Sequence, residues 1–100
     1  MRVLAELLER VEAETPYGGL AISYEALGSA WLRLEGRRRR DRTDAGLTSA
    51  VELAAAETRA DPRRSEGRVI RFGGADWLIA AVDGHPDRPG RVILNIERTR

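Results

Sequence analysis

The chain has 100 residues, a formal net charge of +1 and 42% hydrophobic residues, which is enough for one core and too little for two, so residues 1–100 read as a single domain. It has no cysteine and one histidine, which excludes disulfides, thiolate nucleophiles and cysteine zinc sites. All seventeen basic residues are arginine and none is lysine, the usage of a GC-rich genome, and five of them fall within Arg37–Arg42.

Over Arg2–Glu14 the residues Val3, Leu4, Leu7, Leu8 and Val11 recur at helical spacing with glutamates opposite, which predicts a first amphipathic helix. Acidic Glu6 and Glu9 so close to Met1 argue against a signal peptide. Thr15-Pro16-Tyr17-Gly18-Gly19 then stops the helix, because proline disfavours helical backbone before it and glycine accepts left-handed geometry. Ser23 fits an N-cap, with Ile22 and Leu27 as the staple around it. A second helix is therefore predicted from Tyr24, with Tyr24, Leu27, Ala30, Trp31 and Leu34 on one face and Gly36 at its end. Gly28 inside it costs roughly 1 kcal/mol against alanine, which points to a close backbone or aromatic contact.

Arg37–Arg42 follows. Clustered guanidinium groups repel one another and gain most when phosphates or carboxylates gather around them. Arg37, Arg38, Arg39, Arg40 and Arg42 are therefore the candidate site for an acidic partner or phosphate, against the plainer reading of a solvated loop that balances the acidic first helix. Thr43 or Asp44 caps a predicted third helix carrying Leu47, Ala50, Val51 and Ala54, ended by Asp61-Pro62.

Beyond residue 66 the period changes. Arg68–Phe72, Asp76–Val82 and Arg91–Thr99 read as three antiparallel strands, with Gly73-Gly74 as a hairpin turn. The predicted fold is thus α+β, a helical part over 1–61 packed on one face of a β-meander over 67–99; three helices before a hairpin is also the order of a winged helix, kept as the alternative. The run Trp77–Val82 is too short for a membrane span, so a cytoplasmic protein without membrane association is expected. Helices on one sheet face leave Trp77, Ile79, Ala81 and Ile93 on the other. Trp77, Ile79 and Ile93 are accordingly the expected interface of a homodimer or of docking on another protein.

His85 between Asp83 and Asp87 has the surroundings of a general base, and a metal-independent ribonuclease would use it with Arg88, Arg91 and Glu97. No Gly-x-Ser-x-Gly elbow, His-Glu-x-x-His helix or second histidine accompanies it, so no catalytic residue, metal or cofactor is assigned. The function read from the sequence is that of a small non-enzymatic binding or accessory protein of bacterial or phage type, which works through protein contacts as a homodimer. Nucleic-acid binding through Arg37–Arg42 and the ribonuclease are the alternatives.

Overall fold

A computed structural model describes residues 1–44 and 47–99, with side chains for 1–36 and 50–98. Among the described residues there is no helix. The chain forms six strands, β1 (Arg2–Glu14), β2 (Leu20–Asp44), β3 (Leu47–Arg59), β4 (Val69–Phe72), β5 (Ala75–Gly84) and β6 (Arg91–Thr99). They close an antiparallel barrel in the order β1-β2-β3-β6-β5-β4. The last third makes strands where its pattern predicts them. The three helices expected over 1–61 do not form, which overturns both the α+β class and the winged-helix order.

The physical reason lies in residues that satisfy two periods at once. Val3 and Leu7 occupy one face of a helix, but with Ala5 they also alternate along a strand, and Ala5 and Leu7 are buried while Leu4 and Glu6 are exposed. Helix propensity differs by only tenths of a kcal/mol among such residues, and long-range pairing overrides it. The segment Thr15–Gly19 stops an element as predicted, but it is the turn of the β1–β2 hairpin. The Thr15 N–H donates to the Gly19 carbonyl at 2.8 Å, and the Gly19 N–H donates to Thr15 Oγ1 at 3.0 Å.

Two glycines bend β2. Leu7 pairs with Gly28 while Leu8 pairs with Ala26, so Leu27 is an extra residue and Gly28 takes φ +127°. Glu35 pairs with Ala55 while Arg37 pairs with Ala54, so Gly36 is extra at φ +34°. These are β-bulges, which increase local twist and let a 25-residue strand wrap a small barrel. The first bulge is pinned from outside: Arg63 Nη1 donates to the Leu27 carbonyl at 3.0 Å, while Arg63 Nε and Nη2 grip both oxygens of Asp61. That grip, helped by the Arg63 backbone N–H, holds the Asp61 carboxyl well below the usual carboxylate range. Because its folded value lies below the unfolded one, the pin stabilises above the ordinary carboxylate range and is lost on acidification.

Inside the barrel β1 to β3 contribute four alanines beside Leu7 and Leu32, whereas β4 to β6 contribute only large residues. Ala5, Ala30, Ala54 and Ala56 from β1 to β3 face Ile70, Phe72, Trp77, Ile79, Leu94 and Ile96 from β4 to β6. Small residues on one side make room for the indole of Trp77, which stacks on Phe72 with centroids 5.6 Å apart. The side chain of Arg98 lies 5.0 Å from the Trp77 ring centroid and bonds Glu52 at 2.9 Å. Trp77 is 1% exposed and Ile79 0%, whereas Trp31, expected in the core, is 56% exposed. The run Trp77–Val82 has no alternation to specify which face points inward, so its sequence leaves that parity open. The outer apolar strip expected of Trp77, Ile79 and Ile93 is therefore absent: the first two fill the barrel and Ile93 is half-buried.

The barrel is short relative to its longest strands. β1 pairs with β4 only over Glu6–Leu8, so residues 9–14 continue with β2 alone as a two-stranded ribbon. At the other end β2 and β3 run on past the last β3–β6 pair, Val51 with Thr99, as a second ribbon. The two ribbons project from opposite ends.

Replacing Gly28 by valine tests the first bulge. A Cβ there meets Arg63 Nη1 at 3.2 Å on a backbone that side chains rarely adopt, so a loss of about 1–3 kcal/mol is expected, or ~4–8 °C in thermal midpoint per kcal/mol. Gly84→Ala, where a Cβ meets nothing within 4 Å, should stay within ~4 °C of the parent. Equal midpoints for the two variants would remove the bulge from the structure.

Candidate functional site: an arginine and tryptophan cleft

Strand register gathers residues that lie far apart in sequence. On the outer face Arg2 of β1 pairs with Arg33 of β2, which pairs with Glu57 of β3. Leu4 pairs with Trp31, and Arg59 of β3 pairs with Arg91 of β6. The loop after β3 adds Arg64, whose Nη1 donates to the Arg59 carbonyl. Arg2, Trp31, Arg33, Arg59, Arg64 and Arg91 thereby line a cleft of about 310 Å³, and no carboxylate lines it among the described residues. Arg2 lies 5.6 Å from the Trp31 ring centroid, in cation–π range. Burial pushes the Arg64 guanidinium below its ordinary value against the pull of Asp61, and the positive charges of Arg63, Arg59 and Arg91 add to the effect.

An adjoining recess of about 540 Å³ shares Arg2, Arg33 and Arg91 and adds Arg88 and Glu57. Glu57 is 1% exposed although it points away from the barrel core, because the β5–β6 loop folds over it. Its Oε1 lies 3.0 Å from His85 Nε2, and Arg88 and Arg91 approach Oε2 at 3.4 and 3.6 Å. The backbone N–H groups of Asp87 and Arg88 both donate to His85 Nδ1, at 3.0 and 3.1 Å. Nδ1 is thus an acceptor, and the ring proton sits on Nε2 facing the carboxylate. Both nitrogens are engaged in holding the loop. The ribonuclease constellation is met only in part: His85, Arg88 and Arg91 come together, but around Glu57 and not Glu97. The Nε of Arg91 is buried without a hydrogen-bond partner.

Of the other sequence candidates, Arg37–Arg42 lies on β2, paired with Ala54 to Ser49 of β3, at the rim of the barrel and the start of the second ribbon. The inter-helix loop expected there is therefore a strand, and the side chains of these arginines lie outside the described residues. Trp77 and Ile79 are interior, which removes the physical basis of the sheet-face dimer. Among the described residues no group of three or more His, Cys, Asp or Glu could hold a metal ion. Sequence reasoning missed Trp31 as a surface residue and Glu57 as a buried one. Strand alternation through Ala30-Trp31-Leu32-Arg33 would have placed Trp31 beside Arg33 on the outside; nothing local marks Glu57.

No protein-family model and no curated protein matches the chain. Among solved structures it is similar to a chain in the virion of a native gene transfer agent (GTA) particle, at 24% identity and a TM-score of 0.74, over 98% of this chain and 94% of that one. The six-stranded barrel with its projecting ribbons is thus a fold already found in a virion.

Glu57 offers a direct test of the loop. Glu57→Ala strands His85, Arg88 and Arg91 beside a buried gap and should cost about 3 kcal/mol, with faster amide exchange over residues 85–91. Breaking the exposed Arg10–Glu12 pair, 3.2 Å apart and half exposed, by Glu12→Ala should cost under ~1 kcal/mol. Similar losses from both would show that Glu57 is not the anchor.

Proposed function

We propose that the chain is a structural component of a phage-like particle, held in place by contacts with neighbouring protein subunits. The observation that carries this reading is the likeness to the gene transfer agent virion chain, which extends over nearly the full length of both. The architecture supports it physically. Barrel closure pairs the strand edges that would otherwise recruit further strands, while the ribbons extend away from the closed wall to meet other subunits. Tyr17, Leu20, Ile22 and Tyr24 are exposed along the β1–β2 ribbon, and such apolar groups on a small chain mark an interface. Arg37–Arg42, at the barrel rim and the start of the other ribbon, supply the positive charge for an acidic neighbour there.

Particles purified by density gradient from a producing strain should carry an epitope-tagged copy of the chain in fixed ratio to the main shell protein. Deleting the chain should abolish release of particles with nuclease-protected DNA. A deletion strain that releases normal DNA-filled particles, with the tagged chain absent from those of the parent, would contradict the reading.

A further inference from the structure

The cleft around Trp31 is built from five guanidinium groups and one exposed indole, and its composition specifies its occupant. Arg33 and Arg59 are both exposed and have no carboxylate partner among the described residues. Arg91, whose Nη2 lies 3.6 Å from Glu57, keeps a buried Nε–H without an acceptor. Like charges held together in this way repel one another until anions enter between them. Two kinds of anion would answer: a run of phosphates or a cluster of carboxylates.

The surroundings favour carboxylates on a protein. Glu6, Glu12 and Glu14 on β1 and Glu25 on β2 are exposed beyond the cleft, with Arg10 paired to Glu12 at 3.2 Å and Arg71 opposite Glu6. An extended polyanion leaving the cleft along those strands would meet more carboxylates than guanidinium groups, whereas a short segment would not. Phosphate-backbone binding draws its strength from several contacts spread along a stripe, and here the arginines converge on a cleft of about 310 Å³, the size of a few side chains. Exposed Leu4 pairs with Trp31 across the cleft floor. Tryptophan and arginine surrounded by apolar groups are the residues that dominate binding energy at protein interfaces.

We propose that this cleft binds a short acidic segment of a partner protein, its carboxylates bridged by Arg33, Arg59 and Arg91 and its backbone or apolar side chains resting on Trp31. Planar guanidinium groups donate to carboxylates in bidentate fashion, which gives the contact direction as well as charge. The proposal takes from the virion reading only the source of the partner, a neighbouring subunit; the chemistry of the cleft stands without it.

The test is a titration of the purified chain with a short blocked peptide of alternating Glu and Asp, followed by tryptophan fluorescence. A saturable change is expected, absent in Trp31→Phe because Trp77 is shielded inside the barrel. Arg33→Ala combined with Arg59→Ala, two exposed positions whose variants should keep the parent thermal midpoint, should weaken binding ~10-fold or more. Arg10→Ala, on the distant ribbon, should leave it unchanged. The proposal is overturned by no saturable response, by an equal response to the Gln/Asn counterpart of the peptide, by equal weakening in Arg10→Ala, or by tighter, Arg33-dependent binding of a short oligothymidylate. A failed titration with the chain still incorporated in particles would overturn the cleft assignment alone, and a binding-competent chain absent from particles the virion reading alone.

Discussion

Three residue pairs close the barrel. Glu6 with Arg71, Leu7 with Ile70 and Leu8 with Val69 join β1 to β4, and without that seam the six strands would be an open sheet with the 13-residue β1 as one bare edge. Closure is what turns Ala5 and Leu7 toward Trp77 and Ile79 as a shared interior. It also fixes the register of the opposite surface. Because β1 is held at its middle by β4 and along its length by β2, Arg2 stands beside Arg33, and the β3–β6 ladder brings Arg91 beside Arg59. The cleft is therefore a product of topology and not of any local arginine cluster.

The same seam explains the ribbons. A barrel whose β1–β4 seam is three pairs long and whose β3–β6 ladder ends at Val51 cannot use all of the 25 residues of β2, so the remainder of that strand projects at both ends. Gly28 and Gly36 mark the two places where β2 bends, the first pinned by Arg63. The buried Glu57 beneath the β5–β6 loop keeps the wall of the cleft in position. Order in that loop rests on the hydrogen bonds of His85.

The last third was legible in the sequence because Gly73-Gly74 and the alternation through Val92, Leu94 and Ile96 carry a period that only a strand satisfies. The first sixty residues were not. Leu, Ala, Glu and Arg dominate there, all good helix formers, and Val3, Leu7 and Val11 fit both a helical face and one side of a strand. Glycines that a helix would place inside or at its end are bulges here, a distinction that depends on which strand lies opposite. Arg37–Arg42 was conspicuous by crowding alone. The cleft, by contrast, draws Arg2, Arg33, Arg59 and Arg91 from four strands, and only pairing unites them; a single sequence carries no sign of it beyond the alternation that sets Trp31 outside.

Everything about the cleft and the ribbons follows from β1 being a strand seamed to β4, so the nuclear Overhauser contacts of that segment in solution are the most direct measurement. Cross-strand contacts should link Leu7 with Ile70 and Leu8 with Val69, alongside the β1–β2 ladder from Arg2 to Glu14. Contacts between each residue and the third beyond it, running along Val3 to Val11 with no signal to Ile70 or Val69, would show a helix and dissolve the barrel and the cleft together.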